Sequence, residues 1–279
     1  MRILVTDANG TTGHAVIRHL VARGADVVGL VSQDSSRANI AGLGATPIVG
    51  DLRDIEALRL AMDGVERVYH ICPAWLPDEV DIGEAVISAA QSSDISLFGY
   101  HSTIAPHLEE VPSHWAKMQV QMALMHSGLP FSIVQPAAYM RDAFEGLKGN
   151  NLEPPYRTDA PLSWVDVEDV GEAVAILMTR PDQAGGTYEL CGTDTPLAAI
   201  DMAVILSQHR RQPIAARTMP IEEFVRHSPY TGFSAAQLDR VRAYFRFVDE
   251  FGMRACNSKI LAMLLGRSPT PFGAVAERL

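Results

Sequence analysis

Short apolar, β-branched runs alternate with helix-period stretches along the first two-thirds of this chain, and that alternation leaves few folds open. Strands separated each time by a helix pair in parallel and cross over in one sense, which builds an α/β, doubly wound parallel sheet. Residues 3–6 form the first predicted strand and 11–23 the first helix, ended by Gly24. Strands follow at 26–31, 46–49 and 67–71, and a helix at 79–92 from the spacing of Val80, Val86 and Ile87. Two more strands, 96–101 and 131–135, flank a helix over about 113–127, which stops at Ser127-Gly128-Leu129-Pro130. Beyond Pro136 the pattern loosens. Residues 148–155 read as a loop, 165–178 as a helix capped by Asp166 and 187–190 as a strand; 196–208, 235–251 and 259–265 read as helices.

The chain has 279 residues, 47% hydrophobic and 20% charged, enough to bury a sizeable core. A formal charge of −10 excludes a nucleic-acid surface, which needs clustered Lys and Arg. Cys72, Cys191 and Cys256 form no CxxC pair, the usage of a reduced, cytoplasmic protein. No signal peptide and no membrane-length apolar run is read, so no membrane partner is expected. No GxSxG or HExxH stands in the chain, and His101, His107 and His114 lack metal-ligand spacing, so no metal is expected.

The turn after the first strand, Thr6-Asp7-Ala8-Asn9-Gly10-Thr11-Thr12-Gly13, carries the chemistry. Strand, glycine turn and helix together aim backbone N–H groups and the positive helix end at one point, which suits a diphosphate. Gly10 can admit a pyrophosphate and Gly13 can let helix and strand touch. Thr6, Asn9, Thr11 and Thr12 complete the expected cradle. Asp7 opposes it: a carboxylate roughly 5 Å from a phosphate costs about 3 kcal/mol at an effective dielectric of 20. Three arrangements stay open. Asp7 points away and caps a backbone N–H, or fills the anion hole, or tolerates a nucleotide at weakened affinity. At the end of the second strand, Asp34 offers a carboxylate for an NAD ribose, and Arg37 with Ser32 a cradle for an NADP 2′-phosphate.

The loop resembles the TGATGxxG signature of extended and atypical short-chain dehydrogenases/reductases, above all the NmrA-like group. Gly50-Asp51-Leu52, HSTIAPH at 101–107, HWAKMQVQMALMHSGLPFSIVQPAAYM at 114–140, SWVDVEDVGEAV at 163–174 and LLGRSPTPF resemble it too. The resemblance implies a Rossmann-type domain over 1–150, with 151–279 completing the sheet and forming a small, mostly helical cap. It favours NADP(H) over NAD(H), places Asp51 and Leu52 at the adenine, and lines the cofactor with Cys72 and Pro73. It makes Lys117 the lysine that orients the nicotinamide ribose, with Ser102 or Thr103 holding the substrate oxygen. The tyrosine four residues before that lysine is Ser113 here, so the usual proton donor is absent.

His101, His114 and Tyr139 remain as groups able to supply a proton. Trp75, His101, Tyr139 and Trp164, with Phe224, Tyr230 and Phe233 from the cap, are expected around the crevice at the strand ends, a wall for a small hydrophobic or aromatic substrate. The helical face of Leu238, Val241, Tyr244, Phe245, Val248 and Phe251 is read as core. The leading expectation is an NAD(P)H-dependent reductase of a quinone or cyclic ketone. A non-catalytic dinucleotide sensor with a protein partner, and a cofactor-independent isomerase or cyclase, are the alternatives.

Overall fold

In the computed structural model, residues 1–180, 182, 184–226, 229–255 and 257–278 are described, so Cys256 lies outside the described residues. The strands are β1 (Arg2–Val5), β2 (Asp26–Val31), β3 (Thr46–Val49), β4 (Arg67–His70), β5 (Leu97–His101) and β6 (Phe131–Pro136). Shorter ones follow: β7 (Ala138–Tyr139), β8 (Leu147–Lys148), β9 (Asn151–Leu152), β10 (Trp164–Val165), β11 (Gly186–Leu190) and β12 (Ala215–Ala216). The helices are α1 (Thr11–Ala22), α2 (Arg37–Gly42), α3 (Ile55–Ala61), α4 (Glu79–Gln91), α5 (Pro112–His126) and α6 (Val167–Thr179). The rest are α7 (Ala199–Arg210), α8 (Ile221–Phe224), α9 (Ala235–Phe251), α10 (Lys259–Leu265) and α11 (Phe272–Arg278).

Seven strands form one parallel sheet in the order β3-β2-β1-β4-β5-β6-β11, the doubly wound Rossmann order with one strand added at the far edge. The chain reverses direction of winding between β1 and β4, and a crevice opens there at the carboxyl ends of the strands. Two apolar layers cover the sheet. Leu58, Ile82, Val86, Val120 and Leu124 from α3, α4 and α5 pack on one face. Val16, Ile17 and Leu20 of α1 and Val170, Val174 and Leu177 of α6 pack on the other, in continuity with the carboxyl-terminal helices. Such a two-faced cover is why these strands read as continuous apolar runs.

The helix caps follow their chemistry. Asp166 accepts from the Glu168 N–H at the start of α6 and Gly128 takes a left-handed φ of 78° after α5, as read from the sequence. Residues 148–155 are not a plain loop: β8 and β9 pair antiparallel across Gly149, and β12 adds to β9. Two-residue strands show no alternation in sequence, so only partners across space reveal them. The helices α2, of six residues, and α3, of seven, are too short to show a helical period along the chain. On α9, Val241, Phe245 and Val248 are buried as core, while Phe251 at the end is exposed. Among the described residues no helix is long and apolar enough to cross a membrane.

Candidate active site

At the turn from β1 to α1, the first three N–H groups of the helix, on Thr11, Thr12 and Gly13, have no intrahelical partner, and Gly10 at the N-cap supplies no side chain to cap them. Gly13 has no room for a side chain, since a Cβ would come within 2.4 Å of the Asp7 carbonyl oxygen. Thr6, expected in the cradle, is buried elsewhere. Its hydroxyl donates to the Ile71 carbonyl (2.7 Å) and accepts from the Ile71 N–H (2.8 Å), with His70 Nδ1 at 2.9 Å. It rivets β1 to the end of β4 and offers nothing to a ligand. Asn9 reaches across to Asn39 at 3.4 Å, and Thr11 accepts from Arg141 at 3.3 Å.

Asp7 takes a left-handed backbone, with φ 46°, a conformation that glycine adopts freely and Asp or Asn tolerates best among the rest. Its carboxyl folds over the loop, with Oδ2 2.6 Å from where a Cβ on Gly10 would stand. Among the described residues it accepts no hydrogen bond, so the reading in which it caps a backbone N–H is corrected. Burial pushes it up to about 7, against a lowering by the Lys117 ammonium. Near neutrality this carboxyl is about half protonated.

Lys117 on α5 lies beneath, half-buried, and its Nζ donates to the buried Glu79 Oε1 of α4 at 2.6 Å. Burial alone would lower this ammonium, but Glu79, with Cys72 and Asp7 nearby, raises it above the ordinary lysine value. Three N–H bonds radiate from an ammonium, so the pair with Glu79 leaves others for a ligand. Among the described residues, several buried polar atoms at these elements have no partner: Tyr100 Oη, Ser102 Oγ, Ser113 Oγ and His70 Nε2. The Tyr100 ring is 6.0 Å from Nζ, and the His70 ring stacks on Tyr100 at 5.8 Å. Unpaired buried hydroxyls are uncommon in folded proteins, and a group of them at strand ends marks a place for a polar ligand. Thr103 sits half-buried beside Ser102. Cys72 is buried, its thiol pushed up by burial and by Glu79, and Pro73 follows half-buried.

At the far end of the crevice Arg37 and Asp34 neutralise each other at 2.6 Å, and Arg37 also donates to the Pro47 carbonyl at 3.2 Å. Ser32 is exposed next to them. Asp51 is exposed and accepts from the Arg53 backbone (3.0 Å) and guanidinium (3.3 Å), with Leu52 half-buried after it.

A sequence model of the NmrA-like family matches residues 1–259. The chain belongs to the NmrA-like family. It is 25% identical over 228 residues to the NAD(P)H azoreductase of Xenophilus azovorans, covering 79% of this chain and 78% of that one. The structure of the NADPH-dependent quinone oxidoreductase QOR2 of Escherichia coli complexed with NADPH superposes with a TM-score of 0.84 at 20% identity, over 99% of both chains. NmrA, a negative transcriptional regulator, in complex with NADP superposes at 0.82 and 19% identity, over 100% of this chain and 94% of that one. These two likenesses show the fold.

In this NmrA-like chain several wall residues stand away from where sequence put them. Trp164 is buried in the core with its indole N–H donating to the Leu197 carbonyl at 2.9 Å, so it lines no substrate site. His114 is buried, contacts the Ala105 carbonyl through Nδ1 at 3.2 Å and stacks on Tyr244; burial holds it down to about 4. His101 is likewise held down to about 3 by burial, then by Lys117 and His70. Neither ring is an imidazolium at neutral pH, which corrects the expectation of a histidine acid. Trp75 keeps a left-handed φ of 68° and sets its ring edge-on to Tyr244 at 5.6 Å. From there the aromatic run continues through Phe245 to Phe224, Tyr230 and Phe233.

Three residues the sequence did not flag belong here. Glu79 reads as a helix-start carboxylate, and its partner is 38 residues away. Tyr69 reads as strand core. Asp142 reads as a loop acid; its side chain stands exposed three residues after Tyr139, whose phenol it helps to raise. Glu79 and Tyr69 find their partners across the sheet, so no signal along the chain marks them.

Proposed function

We propose that this protein is an NAD(P)H-dependent reductase of an aromatic or cyclic carbonyl compound, a ketone or quinone. The observation that carries the reading is the juxtaposition of the N–H groups on Thr11, Thr12 and Gly13, which have no intrahelical partner, with the half-buried Lys117 ammonium and hydroxyls that are unpaired among the described residues. The loop would take the diphosphate. Lys117 would hold the nicotinamide ribose with the N–H bonds that Glu79 leaves, and Ser102 or Thr103 would receive the substrate oxygen. When bound, the dinucleotide supplies a hydride. Asp51 and Leu52 would border the adenine, and Cys72 and Pro73 the middle of the crevice. NADP(H) is the favoured coenzyme, because Arg37 neutralises Asp34, a carboxylate that would repel a 2′-phosphate.

Trp75 and Tyr139 would flank a flat substrate, which the aromatic run through Tyr244 suits better than a sugar. A second reading, a dinucleotide sensor that signals through a protein partner, draws on two features. Ser113 replaces the usual tyrosine, and the Asp7 carboxyl folds over the loop.

Titration of NADPH and NADH into the wild type and Asp7→Gly, followed by a panel of quinones and cyclic ketones, separates the readings. Micromolar binding with turnover supports the reductase. Binding without turnover supports the sensor, and binding only by Asp7→Gly removes both in favour of a site that works without a coenzyme.

A further inference from the structure

Between β4, β5, β7 and the start of α1 four side chains make one hydrogen-bonded line. Tyr69 Oη meets His101 Nδ1 at 2.7 Å, His101 Nε2 meets Tyr139 Oη at 3.0 Å, and Tyr139 Oη meets Thr12 Oγ1 at 2.9 Å. Gly99 makes the line possible. It is the register partner of Tyr69, and a Cβ there would press to 2.5 Å from the Tyr69 ring that lies across it toward His101.

The direction of the line follows from counting donors. His101 is neutral, so its ring carries one N–H. Tyr69 is fully buried, and among the described residues its hydroxyl has no acceptor besides His101 Nδ1. Were the imidazole proton on Nδ1, the Tyr69 O–H would be a buried donor with nowhere to go, the costly arrangement. Tyr69 therefore donates to Nδ1, and the Nε2–H donates to the Tyr139 oxygen. The Tyr139 proton is left facing Thr12 and the half-buried mouth of the crevice.

Resting on the reductase reading above, we propose that Tyr139 is the proton donor to the substrate oxygen, and that His101 and Tyr69 are positioning residues that keep its proton turned outward. Once the carbonyl carbon is reduced, the former C=O electron pair sits on oxygen. That oxygen bonds the Tyr139 proton as the O–H bond breaks, and the bonding pair stays on the phenolate. The His101 Nε2–H holds the phenolate, and a water at the Thr12 side returns the proton. Burial, with Asp142 adding and Thr12 opposing, raises the phenol above its ordinary value, so it is protonated at neutral pH.

Nitrogen-15 spectra of the histidine-labelled full chain test the direction without any coenzyme. They should show His101, assigned by its loss in His101→Gln, as the neutral Nε2–H tautomer from about pH 5 to 8. In Tyr69→Phe that tautomer should lose its dominance. With a cyclic ketone, Tyr139→Phe should lower kcat about a hundredfold with little change in KM, and Tyr69→Phe about tenfold. Coenzyme affinity read by fluorescence should move less than about threefold in Tyr69→Phe. An Nδ1–H tautomer in the wild type, or full kcat in Tyr139→Phe, overturns the proposal. Failure of the wild type to bind either coenzyme overturns the reductase reading and the donor role with it, while leaving the tautomer result intact.

Discussion

Replacing Asp7 by Asn keeps the left-handed turn and the size of the side chain while removing one proton equilibrium. In the fold this carboxyl moves from its ordinary 3.8 to about 7 through burial, against the pull of Lys117 on α5. The sign follows directly. A folded value above the unfolded one means the ionised form is disfavoured in the fold, so stability is lost as pH rises from about 4 and the loss levels off above about 7. About three units at 1.36 kcal/mol each give a full cost near 4 kcal/mol, of which about 2.5 kcal/mol accrues between pH 5 and 8. Urea unfolding of the wild type should therefore show stability falling over that window, and Asp7→Asn should lack that component of the slope.

The same proton should govern nucleotide binding. A diphosphate over the loop favours the neutral carboxyl, and at pH 8 about nine in ten Asp7 side chains are ionised, so NADH should bind roughly tenfold more weakly at pH 8 than at pH 6. NADH is the cleaner probe because it lacks the titrating 2′-phosphate. In Asp7→Asn the dependence should flatten. Equal pH slopes for wild type and Asp7→Asn, in both unfolding and binding, would refute the assignment of the perturbed proton to Asp7.

Glu79→Gln should leave the half-buried Lys117 ammonium without its counter-charge and cost about 3–5 kcal/mol in denaturant unfolding, whereas an exposed pair such as Arg59 with Glu56 should cost under about 1 kcal/mol. Gly13→Ala should lose coenzyme affinity and about 1–3 kcal/mol of stability, since its Cβ meets backbone that cannot turn aside. Asp169→Ala should loosen the carboxyl-terminal segment, because the buried carboxylate receives Arg267 (2.8 Å), the Thr270 N–H (2.5 Å) and the Thr270 hydroxyl (3.0 Å); limited proteolysis should cut first between α10 and α11. Trp75→Ala should raise KM for aromatic substrates severalfold while the coenzyme Kd stays put; an unchanged KM would remove Trp75 from the wall.

Local pattern carried the architecture. Parallel strands buried on both faces must be apolar throughout and must be joined by helices, so β1 to β6, α1 and α9 were legible from period and punctuation alone, as were the glycine loop and the anomaly at Asp7. The site was legible only in part, because its groups meet across the sheet. Thr6 and Trp164 are residue types that suit a ligand, yet the fold turns both inward. His101 and His114 carry the side chain most apt to titrate near neutrality, and burial removes that capacity. Glu79 under Lys117 and Tyr69 behind His101 could not be paired in one dimension. A pattern along the chain reports which face is covered; which buried polar atoms lack partners, and where a neighbour moves a proton, depend on distances between elements and on the water that packing excludes.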